Sequence, residues 1–127
     1  MQATITRQYS LAVTPWESSQ EVFTDGAHRL GLLDDFHFVE VLDLGGPLPK
    51  GTVALILVYP TPYDYEEQKA KDARELHGST TATDGQDPDV VWLSQEVQNA
   101  CGPYALFHAV FNSNARYHLG KFVWVPW

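Results

Sequence analysis

The stretch of sequence that decides the fold is residues 95–111, which reads QEVQNACGPYALFHAVF. From Cys101 to Phe111, apolar side chains occur on nearly every helical face, and a helix without a polar face belongs in the middle of a fold. Pro103 suits the first turn of such a helix, where an N–H would have no partner within the helix. The pattern therefore predicts a central helix that begins at Cys101.

Cys101 is a candidate nucleophile because of its place at this predicted helix start. The positive end of a helix dipole favours the thiolate, which is the reactive form of cysteine. Upstream, Gln95 carries a side-chain amide that can donate a hydrogen bond to an oxyanion, with the Cys101 backbone N–H as the second donor. Two ordinary alternatives stay open: a lone cysteine is often an inert small hydrophobe, and a glutamine usually lies on the surface.

The elements on either side of this stretch follow from local patterns. Ser18 to Glu21 reads as a capping box that opens a helix, with Gly31 as its stop. Val53 to Tyr59 is an aliphatic run typical of a buried central strand. The remaining predictions are an extended segment at Phe38–Leu42, a turn at Gly45–Pro49, a helix at Tyr63–Leu76 with a Glu67–Lys71 pair, and a polar loop at His77–Pro88.

Composition narrows the class of protein. A length of 127 residues indicates one domain. Its net charge of −8 would be repelled by phosphate backbones and anionic lipid surfaces, so we expect neither nucleic acid nor a membrane as partner. The longest apolar run is far shorter than the roughly 20 residues of a membrane helix. One cysteine excludes an internal disulfide and suits a reducing compartment, so we expect a cytoplasmic protein. The histidines lack the short paired spacings of zinc sites, so no metal is predicted.

Two motifs flank the candidate nucleophile: residues 85–95 read GQDPDVVWLSQ and residues 98–102 read QNACG. Together they resemble the active-site segment of the ubiquitin C-terminal hydrolases, which are papain-like cysteine deubiquitinases. The resemblance runs from about Trp16 to about Asn114 in the family's order. Its other parts are WESSQEVF at 16–23, FVEV at 38–41, ALILVYP at 54–60, and LFHAV at 106–110 with Asn112.

The resemblance implies an α+β, papain-like fold of helices around an antiparallel sheet. It also implies hydrolysis of amide or ester bonds at the C-terminal glycine of ubiquitin, with ubiquitin or its conjugates as partner and no cofactor. By the same resemblance, Cys101 is the nucleophile and Gln95 the oxyanion-hole donor. Glu17 and Glu21 fall where the family meets the basic tail of ubiquitin, although Glu21 also fits the capping box.

This sequence departs from the family pattern after the nucleophile helix. Pro103 stands where relatives usually have Thr, and the chain between the Gly45–Gly46 turn and Val53 is compressed. The family's general-base His and orienting Asp come well after the cysteine, and no acid follows Glu96 here. His108 lies about 10.5 Å along the helix from Cys101, outside hydrogen-bond reach of about 3 Å. His28, His37, His77 and His118 are no better placed.

These departures leave the competence of the chain open. We divide it into an N-terminal extension (1–15), the N-terminal part of the catalytic domain (16–114) and an unmatched aromatic tail (115–127). The catalytic domain is then truncated after the nucleophile helix, and we expect the natural protein to continue past Trp127 with a His and then an Asp. The alternatives are a catalytically dead ubiquitin-binding fragment and an incomplete gene product.

Overall fold

The computed structural model describes residues 9–79 and 89–120. Three helices and two very short strands lie in these ranges. In chain order they are β1 (Leu11–Ala12), α1 (Gln20–Arg29), α2 (Tyr65–Ser79), β2 (Val97–Gln98) and α3 (Cys101–Phe111), followed by a 3-10 helix at Asn114–His118. The sequence prediction of a helix that begins at Cys101 is confirmed.

The core lies where α3 packs between α1 and the 3-10 helix. Leu106 and Val110 of α3 are buried one turn apart, against Phe23 and Ala27 of α1 and Ala115 of the 3-10 helix. Because α3 is apolar on several faces, it contacts both neighbours at once. This packing fixes α3 relative to α1, and with it the position of Cys101 at the first residue of α3.

The ends of α1 are set by local chemistry. Ser19, not Ser18, is the N-cap, and its hydroxyl accepts a 3.2 Å hydrogen bond from the Val22 N–H. At the other end, Gly31 adopts a φ of +102° and its N–H donates to the carbonyl of His28. This is a Schellman arrangement, which needs a residue that tolerates left-handed backbone, as glycine does. The predicted helix stop is therefore confirmed, and the predicted cap is one residue too early.

The sheet differs from the antiparallel sheet that the resemblance implied. In the described ranges, β1 and β2 pair in parallel, with Leu11 opposite Val97. The predicted central strand at Val53–Tyr59 is wrong for this structure: it forms no strand, and Leu55 and Leu57 are 63% and 73% exposed. A strand is stabilised by ladders to its neighbours, and within residues 9–79 and 89–120 no element pairs with this run. Only Ile56 packs against the core.

Two residues that follow α1 are bound by α1 side chains. The N–H of Phe38 donates to the Thr24 hydroxyl at 2.9 Å, and the N–H of Glu40 donates to the Gln20 side-chain oxygen at 3.3 Å. The N–H groups of Phe38 and Glu40 therefore donate to helix side chains. The predicted extended segment at 38–42 joins no strand ladder. The predicted turn forms at residues 44–46.

The second predicted helix forms as α2, with its Glu67–Lys71 ion pair at 3.3 Å. It continues to Ser79, so the predicted loop does not begin at His77. Two parts of the chain lie outside the described residues. They are the rest of that loop (80–88), which includes the GQD part of the first motif, and the aromatic residues 121–127. None of the helices in the described ranges is long and apolar enough to cross a membrane.

Candidate active site

Cys101 is the first residue of α3, and its side chain is exposed. The N-cap residue, Ala100, is buried and its methyl group cannot cap the helix by a hydrogen bond. The first turn of α3 contains no acidic residue, so the positive end of the helix dipole is not offset there. An accessible thiol beside the N–H groups of a helix start is an arrangement that suits a nucleophile with an adjacent anion-binding position.

The parallel β1–β2 pair and a tight turn set the direction in which the backbone enters α3. The N–H of Val13 donates to the carbonyl of Gln98 at 3.1 Å, which extends the pairing to the last residue of β2. Asn99 then adopts a φ of +64°, the left-handed conformation that Asn tolerates better than most residues. The direction of the chain therefore changes between β2 and Cys101. The sequence reasoning above missed this turn, for which an Asn directly after a strand was the available signal.

Gln95 lies just before β2, so that β2 and the Asn99 turn separate it from Cys101. Its side chain is half-buried, and its amide Nε2 donates a 2.8 Å hydrogen bond to the carbonyl of Val97. A side-chain amide carries two N–H hydrogens. The bond to Val97 fixes the orientation of the amide with one hydrogen and leaves the other for a second acceptor.

Trp16 connects the start of α3 to α1, a role that the sequence reasoning did not assign to it. A Cβ atom placed on Gly102 would lie 3.1 Å from the Trp16 Cβ, and one placed on Gly26 would overlap the far edge of the indole ring. The ring also meets Phe23 edge-to-face, with centroids 5.5 Å apart. Trp16 thus lies between glycines of two helices, directly beside the residue that follows Cys101. Two glycines on different helices were the only sequence signal for this close approach.

Glu17 and Glu21 are both exposed, at the N-terminal end of α1. Glu17 follows Trp16, so it lies on the segment that packs beside the start of α3. Glu21 is in the first turn of α1 and accepts a 3.2 Å hydrogen bond from the side chain of Gln20. Its own backbone N–H, and then the Gln20 amide, lower the pKa of the Glu21 carboxyl. Because the N-cap is Ser19, Glu21 does not complete the predicted capping box.

Three of the described histidines are held by partners other than the thiol. In α3, His108 Nε2 accepts a hydrogen bond from the Leu93 N–H at 2.9 Å. His118 follows the C-terminal end of α3 and packs on the Phe36 ring, with centroids 5.0 Å apart. His28 Nε2 lies 2.8 Å from the carbonyl oxygen of Phe36. His37 is exposed beside α1, and the side chain of His77 is not among those that the structure describes.

No group of three or more potential metal ligands occurs among the described side chains. The described residues therefore supply a thiol, a fixed amide and a helix start. They do not bring a histidine to the thiol.

Comparison with known proteins identifies the family. The model of ubiquitin carboxyl-terminal hydrolase, family 1, matches residues 13–123, which extends beyond both ends of the resemblance seen at Trp16–Asn114. Ubiquitin carboxyl-terminal hydrolase YUH1 of Saccharomyces cerevisiae is 34% identical over 109 residues, which cover 82% of this chain and 42% of the yeast protein. The human isozyme L1 is 31% identical over 107 residues, which cover 81% of this chain and 46% of the human protein.

A Drosophila melanogaster ubiquitin carboxyl-terminal hydrolase is 32% identical over 108 residues, again with 81% of this chain and 46% of the relative covered. The chain thus spans a little under half the length of these curated relatives. No solved structure gave a significant match. Because the family model covers nearly the whole chain, this protein belongs to family 1 of the ubiquitin carboxyl-terminal hydrolases.

Proposed function

We propose that this chain carries the nucleophile and the oxyanion donors of a cysteine hydrolase that cleaves amide or ester bonds at the C-terminal glycine of ubiquitin. The observation that carries the proposal is the exposed thiol of Cys101 at the first residue of α3, within a chain that the family model matches. The relatives reported above are named as ubiquitin hydrolases. No cofactor takes part in this chemistry.

The reaction begins when the Cys101 thiolate adds to the carbonyl carbon of the glycine. The carbonyl oxygen becomes an oxyanion, which the Cys101 N–H and the second hydrogen of the Gln95 amide stabilise. Collapse of this intermediate expels the amine or alcohol, which takes up a proton, and leaves ubiquitin bound to Cys101 as a thioester. Water then adds to the thioester, releasing the ubiquitin carboxylate and regenerating the thiol.

We assign ubiquitin recognition to an acidic segment beside the active site, which carries Glu17 and Glu21. Glu17 follows Trp16, which contacts Gly102, so a substrate tail that reaches Cys101 passes close to this segment. The Glu21 carboxyl is ionised at neutral pH, and its pKa is lowered from the ordinary value by its own backbone N–H and the Gln20 amide. Two carboxylates and a net charge of −8 would attract the basic tail of ubiquitin. The need for a reduced thiol favours a cytoplasmic location.

The decisive experiment measures acylation of Cys101 in a single turnover. A ubiquitin with an activated C-terminal ester needs no general acid for its leaving group, and intact-mass analysis detects the resulting thioester. We expect acylation of the wild-type chain, none of Cys101→Ser, and a rate about 10²–10³-fold lower for Gln95→Ala. The matched control is Gln98→Ala, which removes an exposed glutamine side chain from β2 and should acylate at the wild-type rate. A wild-type rate no higher than that of the denatured chain would contradict the proposal.

Turnover should be slow even if acylation is fast. His28, His108 and His118 are held by partners other than Cys101. General acid–base assistance is worth about 10²–10⁴-fold in rate. We therefore expect hydrolysis of a ubiquitin C-terminal amide to be slower by about that factor than hydrolysis by a family member with a general-base histidine beside its cysteine. Rapid multiple turnover would contradict this expectation.

The same histidine geometry favours a second function, ubiquitin binding without hydrolysis. Saturable binding of ubiquitin together with failure of the activated ester to acylate Cys101 would select this alternative. Substitution of Glu17 and Glu21 by Gln should then weaken binding without any effect on thiol chemistry.

A further inference from the structure

One face of α3 binds the backbone of the segment that carries Gln95. Three polar side chains at successive four-residue intervals each accept a hydrogen bond from a backbone N–H of residues 91–96. Asn112 Oδ1 accepts from Val91 at 2.7 Å, His108 Nε2 from Leu93 at 2.9 Å, and the Tyr104 hydroxyl from Glu96 at 3.2 Å. We call Tyr104, His108 and Asn112 the α3 ladder.

The spacing of the Val91 and Leu93 contacts matches the two repeating lengths of protein backbone. Two residues of extended chain advance about 6.6 Å, and four residues of α-helix advance about 6.0 Å. The N–H groups of Val91 and Leu93 point to the same side of the segment, so they can meet His108 and Asn112 in register. The segment therefore runs antiparallel to α3 with helix side chains in place of a neighbouring strand.

Two side chains of the ladder, Asn112 and His108, have further contacts that orient them. The Asn112 amide also donates to the carbonyl of Val91 at 2.8 Å, so it pairs with both polar groups of that residue. His108 accepts at Nε2, which places its proton on Nδ1, and its ring stacks on Trp92 at 4.9 Å with the planes 7° apart. Asn112 and His108 are therefore each oriented by more than the one hydrogen bond that defines the ladder.

Gln95 lies between the last two of these attachments, because Leu93 and Glu96 are bound on either side of it. Its side-chain amide is fixed in turn by the carbonyl of Val97. Cys101 begins the same helix that carries the ladder, so the thiol and the segment that carries the amide are both attached to α3. We propose that Tyr104, His108 and Asn112 are positioning residues that hold the Gln95 amide in register with Cys101. This inference rests on the proposed function.

Tyr104→Phe is the sharpest test because it removes one hydroxyl and preserves the ring. With the activated ubiquitin ester, we expect acylation about three- to tenfold slower than wild type, in line with the loss of one hydrogen bond. Alkylation by iodoacetamide, a direct substitution that forms no oxyanion, should keep its wild-type rate. Tyr63→Phe is the matched control, since the Tyr63 side chain is fully exposed.

A double-mutant cycle separates positioning from general stability. If Tyr104 acts through Gln95, Tyr104→Phe should have no further effect on acylation in the Gln95→Ala background. Amide exchange at Glu96 should accelerate in Tyr104→Phe. An undiminished effect in the Gln95→Ala background, an unchanged acylation rate or unchanged exchange at Glu96 would each overturn the inference.

A second pair of variants covers the middle of the ladder. His108→Gln retains an acceptor oxygen and should acylate faster than His108→Leu, which retains only bulk. Equal rates for the two would contradict the inference. If the wild-type chain is not acylated by the ubiquitin ester, the proposed function fails and this inference fails with it; if only the ladder variants behave as wild type, the inference fails alone.

Discussion

Substitution of Gly26 by Ala tests whether the Trp16 side chain is a wedge, packed tightly between Gly26 of α1 and Gly102 at the start of α3. An ideal Cβ at position 26 would overlap Cη2 of Trp16 and lie 2.8 Å from its Cζ3. The ring cannot easily retreat, because it meets Gly102 and packs edge-to-face on Phe23. The new methyl group must therefore displace the indole or separate the two helices.

The expected change in the free energy of unfolding combines two destabilising effects and one stabilising effect. Overpacking costs about 1–3 kcal/mol, and loss of the Trp16–Phe23 pair costs about 0.5–1.5 kcal/mol. Against this, Ala is favoured over Gly within a helix by about 1 kcal/mol. We expect Gly26→Ala to lower the free energy of unfolding by about 1–2 kcal/mol net of these contributions.

The assay is urea unfolding followed by far-UV circular dichroism, in the wild-type and Trp16→Ala backgrounds. Without the indole ring, the methyl group has room, so Gly26→Ala should raise the free energy of unfolding by up to about 1 kcal/mol in the Trp16→Ala background. The predicted change of sign is specific to the wedge. Stabilisation by Gly26→Ala in both backgrounds would refute the reasoning.

Three further predictions concern the ends of α1. Ser19→Ala removes the hydroxyl that accepts from Val22 and should cost about 1 kcal/mol in urea unfolding, whereas Ser18→Ala should cost little. Gly31→Ala forces a side chain into a φ of +102° and should cost about 1 kcal/mol or more by the same measurement. An NMR titration should place the pKa of the Glu21 carboxyl below its usual value, and Gln20→Ala should raise it. Because folding lowers this pKa, the stabilisation by Glu21 is present above its unfolded pKa and is lost as the pH falls through its folded pKa.

Local sequence chemistry was sufficient to locate the helices. Pro103 and a largely apolar run predict the helix that begins at Cys101, and Gly31 predicts the end of α1. Each of these signals acts through groups within one or two turns of the residue that carries it, so no distant contact is needed to interpret them. The resemblance around Cys101 likewise predicted the family that the wider comparison shows, and membership implies a papain-like fold.

The sheet could not be predicted in this way, because a strand depends on its neighbours. Val53 to Tyr59 has the composition of a buried strand, yet in the described ranges it pairs with nothing and its side chains are largely exposed. The two strands that do form are too short to show any alternation, and they pair across more than 80 residues of chain.

The sequence by itself determined the helices, the glycine stop of α1 and the identity of the candidate nucleophile, since all of these depend on residues close together in the chain. Only the tertiary structure decided how Cys101 is supported. Trp16 reaches Gly102 from the other end of the chain, and His108 meets Leu93 through a hydrogen bond between a helix and an extended segment. Such contacts depend on distances that packing sets, and no local pattern in the sequence records them.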